Sequence, residues 1–269
     1  MALILVPTPL GNLGDMTLRA LETLRDAELI VAEDTRVARK LLNALRIVSK
    51  ELWSYREQNA RAVTAGILER AREQRVALVT DAGMPGISDP GSELVAAARE
   101  AGVAVDVLPG PSALLGVAVL SGFPLRRFSF EGFPARTSSA RKAQFAAALR
   151  RGVTTLWYES PQRVLAALAD LDAIAPDARV FVLREYTKHF EQQISGHPAE
   201  AAAALQMPVR GEIAFAVAPY ETKSTAAAAD VDAAIDASLA AGMTPRDLYR
   251  RASERKAHRG MGSDPAAEH

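Results

Sequence analysis

Short apolar runs alternate with helical patterns along the first part of the chain, and this alternation restricts the fold more than any other feature. Residues 3–6, 29–32, 76–80 and 103–108 are apolar stretches of strand length, each with turn-forming residues beside it. Between them, residues 17–25, 36–45, 60–74 and 92–101 carry helical patterns. Buried strands joined through helices are the mark of a parallel sheet covered on both faces, so residues 1–111 are predicted to form an α/β domain of linked β-α-β units. A second α/β domain is predicted over 112–220, with strands at 128–131, 154–158, 179–184 and 212–217 and helices at 141–150 and 161–171. From 221 to 269 the composition shifts to Ser, Thr and Ala, which reads as a linker followed by a helical or partly disordered tail.

In open α/β sheets, ligands collect at the carboxyl ends of the strands, where loops expose backbone groups. Three loops there stand out. The first, Pro7-Thr8-Pro9-Leu10-Gly11-Asn12-Leu13-Gly14-Asp15, lacks both the Gly-Lys-Ser/Thr of a phosphate-binding loop and the Gly-x-Gly-x-x-Gly of a dinucleotide fingerprint. Taken alone, it is equally a plain turn before a helix. The second, residues 80–91, crowds Asp81 and Asp89 together with three glycines and two prolines, a rigid turn suited to holding a small polar ligand. The third, Leu108-Pro109-Gly110-Pro111-Ser112-Ala113, opens a helix, so Ser112 is either a helix cap or a ligand contact.

Composition narrows the setting. A chain of 269 residues, 49% hydrophobic and 24% charged, is an ordinary globular protein, and the absence of cysteine excludes disulfides and thiol chemistry. No signal-peptide pattern is visible at the start, and the apolar stretch 103–120 is broken by Asp106, Pro109, Gly110 and Pro111. The expectation is a cytoplasmic protein with no membrane partner. A net charge of zero and a pI near 6.9 give no global pull toward nucleic acid. Any such affinity must come from local clusters: Arg126, Arg127, Arg136, Arg141 and Lys142, or the run from Arg246 to Arg259. Either is equally a solvated face.

Read together, the motifs are specific. They run in order as Val6 to Asp15, Ala32-Glu33-Asp34-Thr35-Arg36, Asp81-Ala82-Gly83 with Asp89-Pro90-Gly91, Leu108 to Ala113, Glu131-Gly132-Phe133, Tyr158-Glu159-Ser160, Arg184-Glu185-Tyr186-Thr187-Lys188, and Gly211-Glu212. This series resembles the tetrapyrrole-methylase-like methyltransferases and, within them, the 16S ribosomal RNA cytidine 2'-O-methyltransferases. Corrinoid and porphyrin methylases of the same fold open with a Val-Gly-x-Gly-Pro-Gly type loop, which is not present here.

The resemblance implies two α/β domains of the tetrapyrrole methylase fold, a homodimer, no metal, and S-adenosyl-L-methionine bound in the cleft between the domains. It implies a substrate in 16S rRNA or the 30S subunit; the rival readings are a methylase of a tetrapyrrole or corrinoid precursor and a non-catalytic RNA-binding factor. Carried over by motif, the cofactor contacts are Leu10, Asp81, Met84, Pro85, Gly86, Ile87, Ser112, Ala113, Tyr158, Glu212, Ile213 and Ala214. Met84 departs from the family, where Thr is expected.

A ribose hydroxyl is a poor nucleophile, so alignment and proton removal fall to the protein. Lysines are scarce, six against 26 arginines, and Lys188 is the first candidate base, on the expectation that burial lowers its pKa. Glu185 and Asp34 are the alternatives, with Glu33 beside Asp34. Arg36 and Arg184 suit RNA phosphate, with Glu33 at the same substrate face, because a guanidinium stays charged and binds phosphate through paired donors.

Overall fold

The computed structural model describes residues 1–48, 50–220 and Thr244, and residues 1–220 form one compact unit holding two five-stranded sheets. The first sheet contains β1 (Ala2–Leu5), β2 (Leu29–Ala32), β3 (Glu51–Ser54), β4 (Arg75–Val79) and β5 (Val105–Val107), all parallel in the order β3-β2-β4-β1-β5. The helices between them are α1 (Leu18–Asp26), α2 (Thr35–Ala44), α3 (Ala60–Glu73) and α4 (Ser92–Glu100). Side chains alternate across the sheet, so both faces of an apolar strand find a helix layer. Leu29, Val31, Val76 and Leu78 pack with Ile67 of α3 and Leu94 of α4, while Ile30, Ala32, Ala77 and Val79 pack with Leu24 of α1 and Leu42 of α2.

The second sheet contains β6 (Phe128–Phe130), β7 (Thr154–Glu159), β8 (Val180–Arg184), β9 (Gln192–Gly196) and β10 (Ile213–Val217), in the order β6-β7-β10-β8-β9. β6 and β7 are parallel and the remaining pairs antiparallel. Strand β10 shows how the layers divide. Ile213, Phe215 and Val217 join α6 (Ser138–Leu149), α7 (Val164–Ile174) and α8 (Pro198–Ala204) on one face, and Ala214 and Ala216 join α5 (Ala113–Leu120) on the other.

Strands β3 and β9 were not anticipated. Both are edge strands with mixed exposure, Glu-Leu-Trp-Ser and Gln-Gln-Ile-Ser-Gly, so neither presents the apolar run that marks a central strand. One member of the first basic cluster is also misplaced by linear reading. Arg141 is 5% exposed on α6, where its Nε donates to Asp170 Oδ2 at 2.8 Å while Ser138 donates to Oδ1 at 2.7 Å. Asp170→Ala would strand a buried guanidinium, and we expect urea unfolding to register a loss of about 3–5 kcal/mol. A loss below 1 kcal/mol would show that water replaces the carboxylate. The second basic cluster and the tail expected from 221 onward lie outside the described residues. Among the described residues, no helix is long and apolar enough to cross a membrane.

Candidate active site

The three loops singled out in the sequence meet at the carboxyl ends of β1, β4 and β5. The first two are stitched by backbone: Thr8 N–H donates to Gly83 at 2.9 Å and Gly83 N–H returns to Thr8 at 3.0 Å. Gly83 takes φ +82°, and a Cβ there would press on Leu10, so this close approach requires glycine. Gly110 of the third loop lies against the Pro7 ring with no room for a Cβ. Ser112 caps α5, accepting weakly from Leu115 N–H at 3.4 Å.

Two neighbouring cavities open at these loops. The smaller, about 320 Å³, is lined by Leu10, Met84, Ile87, Ser112, Ala113, Tyr158, Glu212, Ile213 and Ala214, all anticipated, and also by Phe133, Leu183 and Tyr186. Pro85 and Gly86 complete the turn between Met84 and Ile87 without lining either cavity. Burial pushes the Tyr158 phenol up to about 12, so it stays neutral, and its ring lies edge-on to Phe130 at 5.0 Å. The larger cavity, about 620 Å³, is polar, lined by Glu33, Asp34, Arg36, Tyr55, Arg56 and Asp81 among others.

Ser88 and Asp89 line both cavities. Ser88 holds φ +61°, a left-handed conformation that costs free energy in a non-glycine residue and persists only where its surroundings enforce it. Among the described residues, nothing donates a hydrogen bond to Asp89 or forms an ion pair with it. Burial, and then the charges of Glu33, Asp81 and Glu212, push its carboxyl up to about 7.

The Glu33 to Arg36 turn sits across the larger cavity. Asp34 caps α2 by accepting from Arg36 N–H at 2.8 Å, and it pairs with the Arg36 guanidinium at 2.5 Å and with Arg56 at 3.4 Å. Arg36 thereby holds the Asp34 carboxyl far below the usual carboxylate range. Glu33 moves the other way, raised by burial and then by the charge of Asp81. Asp81 Oδ1 accepts from Asp34 N–H at 3.1 Å, and the residue lines the larger cavity, not the smaller one where a cofactor contact was expected.

Lys188 departs from expectation in charge. Its Nζ lies 3.0 Å from Glu185 Oε1 and 2.9 Å from Glu212 Oε2. Burial works to lower its pKa, as anticipated, but the two carboxylates outweigh burial and hold it above the ordinary lysine value. The ammonium is therefore the stable form. Burial likewise works to raise Glu185, and there the Glu212 N–H and Lys188 outweigh it and hold the carboxyl low. Arg184, assigned to RNA phosphate, is 6% exposed, its Nε donating to the Arg210 carbonyl at 2.6 Å and Nη1 to Gln192 at 2.8 Å. These two donors are used inside the protein, and the residue lines neither cavity. Arg36, with 82% of its side chain exposed, lines the larger one.

The family model for tetrapyrrole (corrin/porphyrin) methylases matches residues 2–202. The chain belongs to the tetrapyrrole methylase family. Within it, the chain is 44% identical over 205 residues to ribosomal RNA small subunit methyltransferase I of Thermotoga maritima, covering 76% of this chain and 91% of that protein. The protein of the same name from Mesorhizobium japonicum is 38% identical over 279 residues, covering 97% and 94%. Among solved structures, a crystal structure of diphthine synthase superposes with a TM-score of 0.64 at 18% identity, covering 81% of this chain and 90% of that one, a likeness of fold.

In this tetrapyrrole methylase, Asp89 stands in the motif series without an assigned role, as do Phe133 and Tyr186, which also line the smaller cavity. Two aspartates stand in one loop, and nothing in their order says which one faces the cofactor-sized cavity. Arg56 was also missed, because it follows the unanticipated edge strand β3. Leu183 and Tyr186 reach the smaller cavity from β8 and the turn after it, where the sequence signal pointed to the neighbouring charges.

Proposed function

We propose that this tetrapyrrole methylase transfers a methyl group from S-adenosyl-L-methionine to the 2'-hydroxyl of a cytidine ribose in 16S ribosomal RNA, and that residues 1–111 and 112–220 are the two domains flanking the cofactor. The observation that carries the reading is the pair of adjoining cavities, one walled by rings and aliphatic side chains and one polar, meeting at Ser88 and Asp89. The relatives' shared name supports rRNA as the substrate.

The smaller cavity fits the cofactor by its chemistry. Leu10, Ile87, Phe133, Tyr158 and Ile213 offer apolar walls to a flat base, and its volume lies in the range of small-molecule sites. Asp89 and Glu212 are carboxylates at the same cavity, and a cation there is stabilised by charges that otherwise repel one another. When bound, S-adenosyl-L-methionine supplies a methyl group already activated on a sulfonium centre. The protein's work is then to exclude water, align the ribose and take up one proton.

Arg36 meets the RNA backbone at the rim of the larger cavity. Of the acids named from the sequence, Asp34 is held low by Arg36, and Glu185 by the Glu212 N–H and Lys188, so both accept protons poorly. Glu33, raised above the ordinary glutamate value by burial and by Asp81, lies at the larger cavity and takes the hydroxyl proton. Exposed Val107, Leu115, Val119 and Leu120, on β5 and α5, offer an apolar surface for the homodimer, which sedimentation of the purified chain tests.

The deciding experiment supplies methyl-labelled S-adenosyl-L-methionine with undermethylated 30S subunits or with tetrapyrrole precursors. Label in an alkali-resistant linkage after a cytidine of 16S rRNA is the expected result. Label in the tetrapyrrole alone, or in neither, would overturn the assignment.

A further inference from the structure

The turn after β8 is held in an unusual way. Glu185 and Thr187 take φ +52° and +66°, positions that non-glycine residues rarely occupy. Backbone pairing enforces them: Glu185 N–H donates to the Glu212 carbonyl at 2.9 Å, and Lys188 N–H donates to the Glu185 carbonyl at 3.0 Å. The Glu185 carboxylate accepts from Glu212 N–H at 3.0 Å and occupies the space a Cβ on Gly211 would need. Tyr186 lies as closely on Gly116 of α5. Strain so over-determined marks a segment whose side chains must be aimed.

What it aims is Lys188. The side-chain stem runs against Gly11, where a Cβ would collide with Cγ, and the ammonium lies between Glu185 and Glu212. Gly11 follows Leu10 in the loop after β1, and Leu10 and Glu212 both line the smaller cavity. One side chain thus touches a loop of the first sheet and two carboxylates of the second.

We propose that Lys188 is a positioning residue that ties Gly11, next to the Leu10 wall of the cofactor cavity, to Glu212 of the opposite wall and its neighbour Glu185, and so governs how long the cofactor is retained. This rests on the cofactor assignment made above. Without the ammonium, Glu185 and Glu212 are left as unneutralised neighbours, and the two walls lose their common contact. Proton transfer would predict a different pattern. A base is lost with the amine whatever the cofactor affinity, whereas a tie shows itself in dissociation and is restored by another long cation.

Calorimetry and stopped-flow dissociation of S-adenosyl-L-methionine, run beside single-turnover methylation, separate the two. Lys188→Met is expected to raise Kd at least about tenfold, mostly through faster dissociation, with the rate at saturating cofactor kept within about threefold. Lys188→Arg should bring Kd back to within about threefold of wild type, because a guanidinium can pair with both carboxylates. Gly11→Ala leaves every charge in place but displaces the lysine, and should weaken retention in the same way. Should Lys188→Met not fold, Gly11→Ala and Lys188→Arg carry the test. An unchanged Kd in folded Lys188→Met or Gly11→Ala overturns the proposal, as does a collapsed saturated rate that arginine fails to restore. Wild-type protein that binds no S-adenosyl-L-methionine would instead overturn the cofactor assignment itself.

Discussion

Replacing Glu33 with glutamine is expected to slow single-turnover methylation by about 10²–10⁴, the span usual for general acid–base groups, while cofactor affinity changes little. The amide keeps the size and much of the hydrogen bonding of the carboxylate but cannot take up the hydroxyl proton. The pH profile provides a second reading. The carboxylate is the accepting form, so the rate falls as pH drops through its folded-state pKa. Burial, with Asp81 beside it, holds that pKa above the ordinary glutamate value, and the acid limb of the wild-type profile should lie correspondingly high. Measured at saturating cofactor, that limb should vanish in Glu33→Gln. A variant with wild-type rate and an intact limb would transfer the role to another group.

Asp89→Asn carries the next largest effect and acts on binding. Loss of a charge-assisted contact to a cationic ligand should weaken S-adenosyl-L-methionine by about 10- to 100-fold, near 1.4–2.8 kcal/mol. The wild-type affinity should itself decline as pH falls below about 7, where Asp89 gains a proton, and the asparagine variant should lose that dependence. Stability should move the opposite way. The folded-state pKa of Asp89 lies above its unfolded value, so the native protein holds this proton more tightly. Its contribution to stability is therefore greatest in acid and is lost as pH rises toward 7. Cofactor-free Asp89→Asn should accordingly melt higher than wild type at pH 8. Equal affinity at pH 8 in calorimetry would remove Asp89 from the cofactor site.

Local pattern carried a great deal. Four apolar runs, each punctuated by Gly, Pro or Asp, specified four of the five strands of the first sheet and the loops at their carboxyl ends, because strand and helix periods are written within ten or fifteen consecutive residues. The ordered motifs likewise specified the family, which the match over residues 2–202 bears out. Strands β3 and β9 escaped because Glu-Leu-Trp-Ser and Gln-Gln-Ile-Ser-Gly mix polar and apolar residues and display no apolar run. The charges escaped for a different reason. Lys188 is held above the ordinary lysine value, against burial, by Glu212, 24 residues away, and by Glu185, and Asp89 is pushed toward neutrality by burial and by Glu33, on a different strand end. Arg141 and Arg184 look like surface charge in the sequence and are buried beside partners 29 and 26 residues distant. Protonation and exposure depend on desolvation and on charges brought together across the chain, and only the tertiary structure decides those.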